Sequence, residues 1–119
     1  MKKQRKIWIK IRKNTWTPPF FPHGWGNGYV VIADKNHPDY GKDYMTLHYD
    51  VHGGITFGEV MDRKRYFEFF GEELPEGIDE VYVIGFDTAH WGDNEITWNK
   101  DAVIDETIWL ASQVNERNI

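Results

Sequence analysis

At 119 residues, 40% apolar and 16% aromatic, the chain is long enough for one domain with one core and too hydrophobic for a disordered tail. It has no cysteine, which excludes a disulfide framework, a thiolate metal site and a cysteine nucleophile. The net charge of −5 hides a division: the first 13 residues hold seven Lys and Arg and no acid, while the rest carries seven basic against 19 acidic side chains.

Lys10, Arg12 and Lys13 interrupt the start before a signal core can form, and no run of about 18 apolar residues follows. A soluble, cytoplasmic protein without membrane contact is expected. The basic arm can take an anion, but the acidic body repels phosphate, which disfavours nucleic acid as a partner. The arm is better matched to its own acidic body or to a partner subunit.

In chain order, Ile7, Ile9 and Ile11 alternate with Trp8, Lys10 and Arg12, the period of a strand. Residues 14–27 contain Pro18, Pro19, Pro22, Gly24 and Gly26 and form a long loop. Residues 28–33, GYVVIA, are β-branched and apolar, a buried strand. Residues 34–44 are polar and punctuated by Pro38 and Gly41. Residues 47–52 alternate again, with Leu47, Tyr49 and Val51 on one side and His48, Asp50 and His52 on the other. Gly53 and Gly54 then turn the chain into a partner strand over residues 55–60, a hairpin.

Residues 62–80 are a charged excursion around Tyr66, Phe67, Phe69 and Phe70, with a short helix or strand, ended by Pro75 and Gly77. Residues 81–86, VYVIGF, are a strand, and residues 87–98 a loop. Asn99 caps a C-terminal helix whose positive end Asp101 favours. Its apolar stripe is Val103, Ile104, Thr107, Ile108, Ala111 and Val114. The expected fold class is α+β: an antiparallel sheet of about five strands with one C-terminal helix packed on it. The expected organisation is a basic N-terminal strand or arm, 1–13, and a single α+β domain, 14–119.

Two segments carry the candidate chemistry. The first ends in HGGITF, where His52 precedes the two glycines. On a regular strand, His48, Asp50 and His52 are about 6.5–7 Å apart in turn, too far for all three to hold one ion. The second is GFDTAHWGD, where Asp87, His90 and Asp93 follow the end of a strand, the usual place for a site. Asp87 can orient His90. Together His52, Asp87, His90 and Asp93 have the composition of a divalent-metal site, although no zinc helix motif or EF-hand loop supports one.

An esterase reading of His-Gly-Gly fails for want of a nucleophile elbow, since Ser112 lies within the helix. GWGNG lacks the Lys-Ser/Thr of a phosphate loop. What remains suits binding: backbone amides of Gly53, Gly54 and Gly92 toward an anion, and Trp25, Tyr29, Tyr40, Tyr44 or Trp91 against a planar ring.

The order GYVVI, HPDYG, VHGGITF, IGFDTAHWGD and VIDETIWLASQ resembles a family of small uncharacterised phage and bacterial proteins with an HGG(L/I)TF … GFDxxHxGD signature. The likeness covers roughly residues 25–114 and leaves out the basic arm. It implies that His37, His52, Gly53, Gly54, Thr56, Asp87, His90, Gly92 and Asp93 belong to the signature. It also implies a phage or prophage accessory protein, a class that includes proteins sequestering nucleotide immune signals of the host.

The expected function is therefore binding of a small, nucleotide-like anion, without a cofactor, by a chain that self-associates. The ligand-binding set is His37, His52, Gly53, Gly54, Thr56, Asp87, His90, Trp91, Gly92 and Asp93. The alternative is a hydrolase with His52 or His90 as base and Asp87 as its orienter, with or without a metal held by His52, Asp87, His90 and Asp93. A third alternative is an inhibitor whose acidic body binds a host protein. The binding reading further requires His52 and His90 to lie near one another across a cavity.

Overall fold

The computed structural model describes residues 6–15 and 23–117. Half of the expected proline-rich loop, residues 16–22, lies outside the described residues, as do residues 1–5 of the basic arm. Among the described residues the elements are β1 (Ile7–Lys13), β2 (Gly26–Ile32), β3 (Phe57–Asp62), α1 (Arg63–Phe70), β4 (Glu80–Phe86) and α2 (Lys100–Arg117), with a 3-10 turn over Tyr44–Thr46. Among the described residues there is one four-stranded sheet in the order β1-β2-β4-β3, with every pairing antiparallel.

The two central strands are buried on both faces, which explains their near-continuous apolar runs. Val30, Ile32, Tyr82, Ile84 and Phe86 point to one face, where Val103, Leu110 and Val114 of α2 meet them. Tyr29, Val31, Val81 and Val83 point to the other, where they meet Met61, Tyr66 and Leu74. Each fully buried aliphatic side chain here contributes about 1.5–3 kcal/mol. The Tyr29 ring stands edge-on to Phe57, Phe69 and Phe70 at 5.3–5.5 Å. The charged excursion is thus a second cover for the sheet. Its helix α1 is capped by the Asp62 carboxylate, which accepts from the Arg65 amide at 2.8 Å, and is stopped by left-handed Gly71.

The α+β architecture, the antiparallel sheet and the C-terminal helix are as expected. Asn99 does cap α2, its side chain accepting from the Ala102 amide at 2.9 Å. The buried stripe is rotated from the expected one: Val103, Thr107, Leu110 and Val114 are buried, while Ile108 is exposed.

The count of about five strands becomes four, because residues 47–52 pair with no strand. The alternation is real, with Leu47, Tyr49 and Val51 buried and His48 and Asp50 exposed. The backbone, however, is held by side chains of α2. Gln113 accepts from the Asp50 amide at 2.8 Å and donates to the Asp50 carbonyl at 2.7 Å. Arg117 donates to the His48 carbonyl at 2.6 Å, and Glu106 accepts from the His52 amide at 2.8 Å. Gly53-Gly54 is consequently not a hairpin turn, and β3 pairs instead with β4. No helix among the described residues is long and apolar enough to cross a membrane.

Candidate functional site

Two loops meet at the end of the sheet. One is the strap of residues 47–54, fastened along α2. The other is the loop after β4, residues 87–98. Thr88 donates its hydroxyl to the Gly26 carbonyl at 2.6 Å and accepts the Gly24 amide on its own carbonyl at 2.7 Å. The Trp25 amide donates to the Trp98 carbonyl at 2.7 Å. Within the loop the Asp87 carboxylate accepts from the Ala89 amide, and the Asn94 side chain accepts from the amides of Ile96 and Thr97. These are local turns made by short polar side chains.

The meeting point is Asp93, only 5% exposed. Nε2 of His52 donates to Asp93 Oδ1 at 2.9 Å, and the His90 amide donates to Asp93 Oδ2 at 2.9 Å. Burial pushes the Asp93 carboxyl up, but the hydrogen bonds from His52 and from the His90 backbone pull it further down, so it is held below its ordinary value. The buried group is therefore an anion with both oxygens engaged.

The His52 and His90 rings touch edge to face, 5.4 Å between centroids and at 90°. His52 also lies against Trp98 at 4.2 Å. The imidazoles are part-exposed, 26% for His52 and 37% for His90. Nδ1 of His90 is buried and makes no hydrogen bond, with Asp87 Oδ1 at 3.3 Å and Asp93 Oδ2 at 3.4 Å beside it.

Gly53 makes this contact possible in two ways. Its φ of +71° is the left-handed region, and a Cβ there would sit 2.2 Å from His90 Cε1. The His90 ring rests on bare backbone. Gly54, at φ +77°, closes a turn by donating its amide to the Val51 carbonyl at 2.9 Å, so this amide is already used. Open space lies over Gly54 and over Gly92 rather than between the two rings. Clefts elsewhere, at Lys6, Ala33 and Glu80 and at Trp8, Tyr66 and Pro75, do not include these residues.

Of the sequence candidates, His52, Gly53, Asp87, His90 and Asp93 come together, and Trp91 and Gly92 adjoin them. Trp91 is 96% exposed. The other aromatic candidates are committed elsewhere: Tyr29 is buried among phenylalanines, Tyr40 donates to Glu80 and packs on Tyr82, Tyr44 lies against Gly58, and Trp25 lies under Lys100. Thr56 uses its amide to extend the pairing of β3 to the Gly85 carbonyl at 2.9 Å.

His37 stands apart. Its Nε2 donates to the Val114 carbonyl at 2.8 Å, and its Nδ1 accepts from the Asp39 amide at 3.0 Å. Val114 is eight residues beyond Glu106, about 12 Å along the helix. Both ring nitrogens are spent, Nε2 on fastening the HPDYG loop to α2 and Nδ1 on bracing the loop itself. Beside it, buried Asp39 accepts from the Tyr49 hydroxyl and from Arg117 Nη1 at 3.1 Å. Sequence reasoning missed this lock, and it missed Glu106 and Trp98, which set the backbone and ring of His52. The partners that tie these residues to α2 and to Trp98 lie 46 to 78 positions away and leave no local pattern to read.

Comparison with models of known protein families, with curated proteins and with solved structures gave no match in any of the three.

Proposed function

We propose that the chain binds a small, nucleotide-like anion at the His52–His90–Asp93 cluster. The observation that supports this most is the pair of part-exposed imidazoles held over bare glycine backbone beside the exposed ring of Trp91. In this reading Trp91 stacks on the base, and His52 and His90 face the phosphate. The resemblance of the HGGITF and GFDTAHWGD segments to small phage proteins extends the reading to a phage or prophage accessory protein. Such a protein would sequester a host immune signal in the host cytoplasm.

Calorimetric titration with a panel of linear and cyclic nucleotides tests the reading. At least one member should bind, and Trp91→Ala should weaken it about tenfold or more, the ordinary worth of one base–aromatic stack. No heat from any member at protein concentrations well above micromolar would refute it. Turnover of a bound nucleotide, abolished by His90→Gln with the fold intact, would instead assign a hydrolase with His52 or His90 as its base.

A further inference from the structure

We infer that His52, His90 and Asp93 form a site for one zinc-class divalent cation, through which an acidic site takes an anionic ligand. The inference rests on the reading of this cluster as the ligand site and supplies what that reading lacks. Asp87 and Asp93 set carboxylates against the imidazoles, Glu106 holds the His52 backbone amide, and the Gly54 amide is spent within its own turn. The carboxylates beside both imidazoles oppose a phosphate there. A bound cation reverses that balance.

The donor set fits. One ligand atom from each of His52, His90 and Asp93 lies within 4.8 Å of the others. A tetrahedral zinc with bonds of about 2.0–2.1 Å places its donors about 3.3–3.4 Å apart. The cluster therefore needs to contract by no more than about 1.5 Å, and both imidazoles sit on loops with part-exposed rings. Two nitrogens and one oxygen suit zinc, cobalt or nickel, whereas magnesium and calcium take oxygen ligands.

His90 provides the independent observation. Its buried Nδ1 makes no well-directed hydrogen bond and sits between carboxylate oxygens at 3.3 and 3.4 Å, a position that suits a cation. A cation at that nitrogen satisfies it and relieves the crowded carboxylates together. His52 is held in place by Glu106 on its backbone amide and Trp98 against its ring. Three protein ligands leave a coordination position for an oxygen of the bound anion.

The test uses the full chain after dialysis against chelator. Calorimetric titration with Zn²⁺ should show one ion per chain, and Mg²⁺ and Ca²⁺ should give no heat. Co²⁺ should acquire the strong visible absorption of a low-coordinate, nitrogen-bound ion. His52→Gln, His90→Gln and Asp93→Asn should each abolish binding or weaken it at least tenfold. Asp87→Asn should weaken it about tenfold or more, because it removes a negative charge 3.3 Å from the His90 nitrogen that takes the ion. His48→Gln, exposed on the strap, should leave it unchanged.

No zinc binding, or binding that survives the three ligand substitutions with folding confirmed by near-ultraviolet circular dichroism, overturns the inference. If those variants do not fold, the cobalt spectrum of the wild type decides: retention of the aqua-ion spectrum overturns it. Nucleotide affinity, measured with zinc and again in chelator, should fall at least tenfold in chelator. Zinc binding without nucleotide binding would sink the ligand reading alone. Equal nucleotide affinity in chelator would overturn the claim that the anion is taken through the cation.

Discussion

Gly53 is the residue on which the site turns. Its left-handed backbone and the 2.2 Å approach of a Cβ to His90 Cε1 impose separate penalties on any side chain there. Gly54 shares the first and not the second, since nothing lies within 4 Å of its would-be Cβ. Gly54→Ala should therefore cost about 1–2 kcal/mol, the ordinary penalty for a non-glycine residue in this region. Gly53→Ala should cost that and also displace the His90 ring, with thermal unfolding and zinc titration as the two readouts. Equal effects of the two substitutions would show that the ring contact contributes nothing. The pairing of His52 with two glycines was legible in the sequence as something beyond a turn. The reason was not: it is a ring 37 positions away, placed by a loop that closes on Asp93.

At the scale of elements, the strap over residues 47–54 replaces what reads as a strand. Alternating burial is a property of any extended chain laid on a core, and it does not say what satisfies the backbone. Here Gln113, Glu106 and Arg117 of α2 satisfy it, and none of them stands out in sequence from the rest of a solvated helix face. The strap's far end is locked by Asp39. Burial raises the Asp39 carboxyl, but hydrogen bonds from Tyr49 and Arg117 outweigh it and hold it below its ordinary value of 3.8. A carboxyl depressed in the folded state stabilises the fold fully above its unfolded value and loses that contribution as pH falls through its folded value. Unfolding free energy should thus fall as pH is lowered from about 5 through 3.8 and below. Asp39→Asn should flatten that limb in denaturant titrations across the range. An unchanged acid limb in Asp39→Asn would show that the lock carries none of it.

In the whole molecule, the sheet separates a helical face from an aromatic one, and the candidate site sits at the end of the sheet where β4 gives way to its loop. The apolar runs of β2 and β4 made the central strands legible, because strands covered on both faces show no polar alternation. The second cover was harder to read. Arg12 lies over Phe69 at 4.0 Å, and Lys10 pairs with Glu72 and lies over Phe70, so basic residues of β1 close an aromatic cluster. The asymmetry of charge along the chain is thereby partly consumed within the fold.

The central claim is that His52 and His90, distant in sequence, act as one ligand site together with Trp91. The most direct test is a ¹H–¹⁵N correlation spectrum that resolves the imidazole and indole nitrogens, followed during titration with the nucleotide panel in the presence of zinc. The account predicts that the signals of His52, His90 and Trp91 shift along a common binding curve while those of His37 and His48 stay in place. Binding that moves other signals and leaves these three unmoved, or no shift of the three with any member of the panel, would contradict it.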